Sequence, residues 1–320
     1  MPHRNALDRP GRALALRPEP PCRPIDRRTF LDSVARVSAG GLAAGTLVEM
    51  VGPASASAEQ AASAAQSASA QLIDRLLTRF TFQMSVDVAT VEHGLSVAAA
   101  ALAGGITIVE MGTPLLKNAG VSNVVPAFRR RFPEALLLAD MKTMDGGAFE
   151  ARAVYQGGGN IVDFLALAGV HTARAICAVR DEFRRADPER PRLVFADIMV
   201  PHHGPAAQAV EVAVRMLEAG VDGVGIHLQA DARRADASLI SSDLLGDAAR
   251  AIFERVGKAA PVQVVGGLSV AQAKTLARAG LRSFVISGNL GQPDGAPRYD
   301  LPPADIQRLV AAFIADASAA

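Results

Sequence analysis

The sequence predicts an α/β protein in which eight parallel strands, each followed by a helix, close into a single (β/α)8 TIM barrel. From residue 72 onward, short runs rich in β-branched residues alternate with longer amphipathic stretches, at a repeat of about 25–30 residues. This alternation is typical of a parallel sheet covered by helices, and roughly 240 residues are enough for one closed barrel. Half of the 320 residues are apolar, which is enough to build a large core.

The predicted elements follow in a regular order after a short leading helix at Leu72–Arg79. The strands are Phe82–Val88, Ile106–Met111, Ala135–Ala139, Ile161–Ala166, Arg192–Ile198, Gly223–Leu228, Pro261–Val265 and Ser283–Ser287. The helical stretches cover residues 91–103, 118–131, 147–157, 170–186, 205–219, 241–258, 269–279 and 303–317. A doubly wound open sheet is the alternative, but no Gly-x-Gly-x-x-Gly follows the first strand.

The N-terminal segment has the pattern of a twin-arginine export signal and not of a folded domain. Arg27-Arg28 are followed, one residue later, by Phe30-Leu31. The uncharged stretch Val37–Val48 comes next; it is long enough for the apolar part of a signal and too short to span a bilayer. Two Ala-x-Ala cleavage sites then follow within residues 54–58.

Three segments are therefore expected along the chain. Residues 1–58 form a twin-arginine-type signal, residues 59–70 form a flexible leader rich in Ala, Ser and Gln, and residues 71–320 form the catalytic barrel. With a working signal the protein is periplasmic. The alternative is an unstructured extension or a later start, which would leave the protein in the cytoplasm.

Composition and charge exclude several classes of function. A formal net charge of +1, without a basic run interleaved with aromatic residues, argues against a nucleic-acid partner. No apolar stretch is long enough for a stable membrane anchor. Cys22 and Cys177 have no partner at metal-ligand or redox spacing, so neither a zinc site nor Cys-x-x-Cys chemistry is indicated. We expect Cys177 to be a packed helix residue.

The segment from Asp140 to Asp145 carries the strongest functional signal, because it places two acids and a lysine directly after an apolar run. Residues two apart in an extended segment share a face, so Asp140 and Lys142 are expected to point the same way. Asp145 is expected on the loop beyond. Buried charges are costly unless they are paired or bound to a metal, so this array predicts an active site. The alternative is a salt-bridge network at the rim of the barrel.

Acidic or basic residues close five of the eight predicted strands, at the end where barrels place their active sites. They are Asp87, Glu110, Asp140 with Lys142, Asp197 and His227. Glu110 and Asp140 are hard oxygen ligands on neighbouring strands, and such a pair suits Mg²⁺ with water and substrate oxygens completing the octahedron. The alternative is that these two acids are only counter-ions of Lys142.

The strand-end residues differ in their expected roles. Lys142 between carboxylates should stay charged, so it can stabilise an enediolate and deliver or accept a proton. His227 is the natural second acid or base, although a strand-end histidine is often only a hydrogen-bonded core residue. Asp87, at the end of the first strand, is also predicted to be a catalytic residue. His202 and His203 follow the fifth strand and are expected on the loop surface.

Two glycine-containing turns follow the last two strands. Strand seven runs into Gly266 and Gly267, and strand eight runs from Ser287 into Gly288. Barrels often bind phosphate at these two turns, where backbone N–H groups and a helix N-terminus hold the anion. We therefore expect these four residues to bind a substrate phosphate.

These motifs resemble those of one enzyme family. Asp140-x-Lys142-x-x-Asp145 is similar to the Asp-x-Lys-x-x-Asp motif of the orotidine-monophosphate decarboxylase suprafamily. The residues of the motif and its neighbours are more similar to those of the 3-hexulose-6-phosphate synthase branch of this suprafamily. Keto-gulonate-6-phosphate decarboxylase is a near relative of that branch. The segments that carry the resemblance are Val109–Leu115, Ala139–Asp145, Gly223–His227 and Val265–Leu268, within a similarity from about Phe82 to Leu290.

The resemblance implies a dimeric barrel with Mg²⁺ held by Glu110 and Asp140. It also implies an enediolate formed from D-ribulose 5-phosphate that adds to formaldehyde, and an Asp145 that reaches into the partner's site. Three functions remain open on the sequence alone. They are an aldol lyase or synthase, a decarboxylase of a keto-acid sugar phosphate, and an exported barrel that binds an anionic ligand without turnover.

Overall fold

The computed structural model describes residues 68–236, 238–241 and 243–320, in which eight parallel strands form one closed barrel. The strands are β1 (Thr81–Val86), β2 (Ile108–Met111), β3 (Leu136–Asp140), β4 (Ile161–Leu165), β5 (Leu193–Val200), β6 (Gly223–Leu228), β7 (Val262–Val265) and β8 (Ser283–Ile286). Each strand pairs with the next along the chain, and β8 closes the barrel against β1. The predicted (β/α)8 barrel is therefore confirmed.

The helices follow the strands as expected, with two differences. They are α1 (residues 68–78), α2 (Val91–Ala103), α3 (Thr113–Ala119), α4 (Val121–Arg131), α5 (Gly147–Gln156), α6 (Gly169–Ala186), α7 (Ala206–Glu218), α8 (Ala230–Ala235), α9 (Ser238–Ser241), α10 (Leu244–Val256), α11 (Val270–Arg278) and α12 (Pro303–Ser318). The single helix predicted at 118–131 is wrong, because Gly120 at φ 83° separates α3 from α4. The segment after β6 also contains two short helices that were not expected.

The predicted signal at residues 1–58 and the first part of the predicted leader lie outside the described residues, so the signal stays a prediction. The leader prediction is wrong for residues 68–70, which belong to α1. The side chain of Ser69 is buried there and exchanges hydrogen bonds with the backbone of Arg192. Within the ranges that the structure describes, no helix is long and apolar enough to cross a membrane.

Strand alternation divides the side chains between the barrel lumen and the surrounding helices. At the N-terminal end of the lumen, Leu72 and Leu76 of α1 pack against a set of apolar strand residues. These are Ile108, Leu138, Ile161, Leu193 and Phe195. Two residues further along four of these strands, the same face carries an acid. The acids are Glu110, Asp140, Asp163 and Asp197, so charge is concentrated at the C-terminal end of the lumen.

The outward faces of the strands form the larger core against the helices. Val109, Val162 and Val224 are fully buried there, and burying such a side chain contributes about 1.5–3 kcal/mol. Cys177 is buried on α6, which confirms that it is a packed helix residue. Burial raises the pKa of its thiol to about 12, so the thiol stays protonated at neutral pH and is a poor nucleophile.

Candidate active site

A cavity of about 590 Å³ opens at the C-terminal end of the barrel. Nine of the ten residues that the sequence predicts for the site line this cavity. They are Asp87, Glu110, Asp140, Lys142, His227, Gly266, Gly267, Ser287 and Gly288. Asp145 is the exception, since its side chain is exposed on the loop after β3 and its Oδ1 accepts a hydrogen bond from the backbone N–H of Gly146.

Lys142 lies between two carboxylates just beyond the end of β3. Its Nζ is 2.9 Å from Asp140 Oδ1 and 3.0 Å from Asp197 Oδ2. Burial alone would lower the pKa of Lys142, but Asp197 and then Asp140 outweigh burial and raise that pKa well above 10.5. The ammonium group therefore stays charged. Lys142 has a φ of 45°, in the left-handed region that costs a non-glycine residue about 1–3 kcal/mol and is common at functional sites.

His227 on β6 shares the oxygen that accepts from Lys142. Its Nδ1 lies 3.0 Å from Asp197 Oδ2. We assign the ring proton to Nδ1 because a carboxylate faces it, which leaves the lone pair that a base needs on Nε2. Burial would raise the pKa of Asp197, but Lys142 and then His227 outweigh burial and hold that pKa far below its ordinary range. Asp197 is therefore an anion that positions both neighbours.

Glu110 on β2 is held by two polar side chains of β1. Gln83 Nε2 donates to Oε2 at 2.5 Å, and Ser85 Oγ lies 2.8 Å from Oε1. Burial, followed by the charges of Asp140 and Asp87, raises the pKa of Glu110 to about 8. Three acids thus crowd one wall of the cavity, and their mutual repulsion would be relieved by a cation.

Asp87 lies at the rim of the same wall, one residue beyond β1. Its Oδ2 is 3.0 Å from Ser85 Oγ and 3.3 Å from the hydroxyl of Tyr299. The Tyr299 hydroxyl also donates to the backbone oxygen of Ser85 at 2.8 Å. A Cβ at position 112 would overlap the carboxylate, so Gly112 is required for Asp87 to occupy this place.

Two sets of oxygens could be considered for a divalent cation. Asp140, Asp163 and Asp197 each place one oxygen within 4.8 Å of the others. Lys142 Nζ already lies between Asp140 and Asp197, so the cation of that cluster is the lysine itself. Burial, then Asp197 and Asp140, also raises the pKa of Asp163 well above its ordinary value. Neither Asp163 nor Asp197 lines the cavity in which water and substrate oxygens would complete the coordination of a cation.

The predicted pair Glu110 and Asp140 fits Mg²⁺ better. Both line the cavity, both are hard oxygen donors, and Glu110 forms no ion pair with a lysine or arginine of the described chain. Burial, followed by the charges of Asp140 and Asp87, raises the pKa of Glu110, and the positive charge of a bound dication would oppose that rise. Thr113 Oγ1 lies 2.7 Å from Asp140 Oδ2 and orients that carboxylate.

The loops after β7 and β8 form the opposite end of the cavity. Gly266 and Gly267 have φ of 120° and 71°, which only glycine adopts readily. The N–H of Gly267 donates to Ser287 Oγ at 3.2 Å, which ties the two loops together. A Cβ on Gly288 would lie 2.7 Å from the Tyr299 ring, so this turn has no room for a side chain. Backbone and hydroxyl groups therefore converge where the sequence predicts a phosphate.

The loop after β5 differs from the expectation for its two histidines. His202 is exposed as expected, but the prediction for His203 is wrong, because its side chain is only 6% exposed. The ring Nδ1 lies 3.1 Å from the backbone oxygen of Met199, so the loop turns back onto its own strand. Burial, then the neighbouring His202, lowers the pKa of His203. His203 is a structural residue of the loop.

Some residues of the site were not recognised from the sequence. Asp163 follows the alternation of β4, which puts it on the same face as Ile161, but the pattern does not say which face is the lumen. Asp197 was predicted at the end of its strand, but its hydrogen bonds to both Lys142 and His227 were not predicted. Tyr299 lies in an irregular segment far along the chain, and no local pattern links it to β1.

The protein has an eight-stranded parallel barrel, and acids, one lysine and one histidine surround a cavity at the C-terminal end of its strands. These features place it in the class of (β/α)8-barrel enzymes. The chain belongs to the orotidine 5'-phosphate decarboxylase / HUMPS family, whose model matches residues 81–289. The sequence resemblance to this suprafamily is therefore confirmed. The members of this family that are similar to this chain are lyases, so this chain is also an enzyme.

Individual relatives agree with this placement. The chain is 28% identical over 206 residues to 3-hexulose-6-phosphate synthase from Mycobacterium gastri, which covers 64% of this chain and 89% of that protein. A crystal structure of 3-hexulose-6-phosphate synthase is similar with a TM-score of 0.57 at 27% identity, over 73% of this chain and 99% of the other. A crystal structure of KGPDC from Streptococcus mutans has the same fold, with a TM-score of 0.57 at 20% identity, over 73% and 96%.

Proposed function

We propose that this protein is a Mg²⁺-dependent aldol lyase and synthase of the 3-hexulose-6-phosphate synthase type, which condenses D-ribulose 5-phosphate with formaldehyde through an enediolate. The observation that carries the proposal is the position of Lys142 between Asp140 and Asp197, with His227 on the same Asp197 oxygen. The similarity to a named 3-hexulose-6-phosphate synthase over 89% of its length supports the choice of reaction.

The first chemical step removes a proton from C1 of the pentulose phosphate. His227 is the group with a lone pair directed away from its carboxylate, so Nε2 accepts the C1 proton while Asp197 stabilises the imidazolium. The electrons of the C–H bond move toward the C2 carbonyl and form the enediolate. The ammonium of Lys142 stabilises the new negative charge, because it is fixed in place before the reaction begins.

The second step forms the new carbon–carbon bond. C1 of the enediolate attacks the carbon of formaldehyde, the C2 carbonyl is restored, and the formaldehyde oxygen becomes an alkoxide. That alkoxide takes the proton held by His227, which gives the hexulose phosphate and restores the neutral imidazole, while the Lys142 ammonium stays charged throughout. The reverse sequence releases formaldehyde, so one set of residues performs both synthesis and cleavage.

Glu110 and Asp140 are the residues that would hold Mg²⁺. When bound, the ion would neutralise negative charge that develops on substrate oxygens. Gln83, Ser85 and Thr113 fix the two carboxylates from behind. At the other end of the cavity, Gly266, Gly267, Ser287 and Gly288 are proposed to hold the phosphate, which leaves C1 and C2 next to Lys142.

We further propose a homodimer in which Asp145 serves the partner's site. Asp145 does not enter the cavity of its own chain, and three large apolar side chains near it are exposed. These are Met144, Phe149 and Leu167, which are 54%, 81% and 39% exposed. They lie on the loop after β3, on α5 and after β4, which are neighbouring segments of one face. A second copy that covered this face would bury them and bring Asp145 toward its cavity.

Export is a separate proposal, which is supported by Arg27-Arg28 and by the cleavage sites within residues 54–58. Replacing both arginines with lysine should leave the full-length precursor in the cytoplasm of the host, whereas the unmodified protein should be shortened and periplasmic. A full-length, cytoplasmic unmodified protein would contradict this proposal without affecting the proposed reaction.

The reaction is tested by offering purified full-length protein two substrate sets, each with Mg²⁺ and with a chelator. Ribulose 5-phosphate plus formaldehyde should give a hexulose phosphate only when Mg²⁺ is present. Keto-gulonate 6-phosphate tests the decarboxylase alternative, which shares the enediolate and has relatives with the same fold. Release of CO₂ without aldol activity would overturn the proposed reaction in favour of decarboxylation. Turnover of neither substrate would contradict both.

A further inference from the structure

Arg233 on α8 extends its side chain toward the loop after β7. Its Nη1 lies 3.3 Å from the backbone oxygen of Gly266, to which it donates. A Cβ on Gly267 would overlap the guanidinium, so Arg233 rests directly against the bare backbone of that turn. Arg233 also lines the cavity, together with Ser287 and Gly288.

Arg233 is half-buried and has no acidic partner among residues 68–236, 238–241 and 243–320. The nearby Asp231 is instead 3.1 Å from Arg234. The surroundings of Arg233 even lower its pKa, through burial and then through the charge of Arg234, with no carboxylate to offset them. A half-buried guanidinium without a counter-ion is costly, and an anionic ligand would remove that cost.

Two other cations at this end of the barrel are already paired with acids. Lys142 is paired with Asp140 and Asp197. Arg298, from the segment after β8, is paired with Asp294 at 2.5 Å. The loop after β8 contributes Asn289, whose Nδ2 donates to the backbone oxygens of Gly267 and Gln292 and so fixes the turn rather than the ligand. Lys117 and Arg234 also line the cavity, but both are exposed. Among the described residues that line it, Arg233 is the half-buried cation that contacts the glycine turn.

We propose that Arg233 is the phosphate-binding cation of this site, closing over the turn at Gly266 and Gly267 from the helix after β6. This assignment rests on the proposed function, because it takes the substrate to be a phosphate monoester. The planar guanidinium offers paired N–H donors to two phosphate oxygens. The Ser287 hydroxyl, which accepts from Gly267 N–H, can donate its own proton to a third.

The assignment is tested by calorimetry on the full-length chain, with inorganic phosphate and with D-ribulose 5-phosphate as probes. Arg233→Gln should weaken both affinities by about 10- to 100-fold, the usual effect of losing hydrogen bonds to a charged group. Arg233→Lys should recover part of the loss, because the charge returns without the paired geometry. Arg308→Gln is the control, since Arg308 on α12 is an exposed arginine paired with Asp305 and does not line the cavity, and this variant should bind as the wild type does.

The kinetic readout separates this role from a structural one. With ribulose 5-phosphate, Arg233→Gln should raise KM more than it lowers kcat, while slow turnover of unphosphorylated D-ribulose should be unaffected. Unchanged affinity for both phosphate probes in Arg233→Gln overturns the assignment and leaves the proposed reaction standing. If the wild type binds the probes but makes no product, and Arg233→Gln loses that affinity, the assignment is supported and the proposed reaction is overturned. A wild type that binds neither probe overturns both.

Discussion

Asp197 Oδ2 lies 3.0 Å from His227 Nδ1, and the same oxygen accepts a hydrogen bond from Lys142 Nζ. One carboxylate oxygen therefore fixes the proposed base and the proposed electrostatic stabiliser together. Asp197 lies beneath both of them on β5 and is only 1% exposed. Its Oδ1 is buried without a hydrogen-bond partner among the described residues, so the side-chain hydrogen bonds of Asp197 go to these two neighbours. Movement of Asp197 would disturb both groups at once.

Asp197→Asn should lower kcat by about 10²–10⁴, because the base loses the anion that orients and stabilises it. KM for ribulose 5-phosphate should change little, since the phosphate is bound at the other end of the cavity. Steady-state kinetics measures both values. Asp222→Asn is the matched control, as Asp222 is an acid with a side chain only 9% exposed, paired with two arginines outside the cavity. Equal losses of kcat in the two variants would mean that Asp197 acts only through stability.

Lys142→Ala should lower kcat by roughly 10³ or more, because a preorganised charge next to the reacting oxygen is lost. Substrate affinity should fall less. A pentulose phosphate deuterated at C1 isolates the first step, since the wild type should exchange deuterium with solvent in the absence of formaldehyde. Lys258→Ala, which removes an exposed lysine far from the site, should exchange normally. Exchange that survived in a Lys142→Ala, His227→Ala double variant would show that neither residue is the base.

The two possible cation sites predict opposite effects on Mg²⁺ affinity. If Glu110 and Asp140 hold the ion, Glu110→Gln should weaken Mg²⁺ binding by at least about 10-fold. Replacing a residue that only hydrogen-bonds to a metal ligand already lowers metal affinity by about that factor, and replacing a ligand itself should lower it at least as much. Asp163→Asn should leave the affinity unchanged, because Asp163 does not line the cavity in which Glu110 and Asp140 lie. Calorimetry with Mg²⁺ alone measures both. A loss confined to Asp163→Asn would transfer the site to the cluster of Asp140, Asp163 and Asp197.

The strands and the acids at their ends were predictable because both depend on short-range rules. Apolar runs of four to eight residues separated by helical periodicity indicated all eight strands. In a parallel barrel, the ends of such runs must meet at one face, so Glu110, Asp140 and His227 could be brought together without a structure. The Asp140–Lys142 contact was also predictable, although Lys142 reaches Asp140 through a left-handed backbone and not through an extended one.

The contacts that the sequence could not predict are those made by irregular segments. Arg233 reaches Gly267 from a helix of six residues that interrupts the expected pattern after β6. Tyr299 reaches β1 from a segment without regular structure, more than two hundred residues away in sequence. His203 is buried because its loop folds back onto Met199. In each case the partner is fixed by the path of a loop, and no periodicity of the sequence reports that path.

The proposed shared site predicts that two inactive variants can restore each other. Asp145→Ala and Lys142→Ala should each be nearly inactive, but mixing them should form hybrid dimers with one intact site. The activity of the mixture should rise toward a quarter of the wild-type value, because half of the dimers are hybrids and half of their sites are intact. Phe149→Glu, which puts a charge on the exposed apolar face, should produce monomers in sedimentation. No recovery after confirmed subunit exchange would contradict a shared site.

Stability should respond to pH through Asp222, an acid outside the cavity whose side chain is 9% exposed and pairs with Arg180 and Arg184 at 2.9 Å each. Burial would raise its pKa, but the two arginines outweigh burial and lower the pKa below its ordinary 3.8. The stabilisation is therefore fully present above about pH 4 and is lost as the pH falls through the lowered pKa. At pH 7, Asp222→Asn should cost about 3–5 kcal/mol of unfolding free energy, because Arg180 and Arg184 lose their shared partner and keep only the more exposed Asp181. The difference from wild type in denaturant titrations should shrink below about pH 4. Glu182→Gln is the control, because its exposed pair with Arg152 should contribute little to stability at any pH. A difference that stayed constant down to pH 2 would show that the Asp222 charge is not the source of the stability.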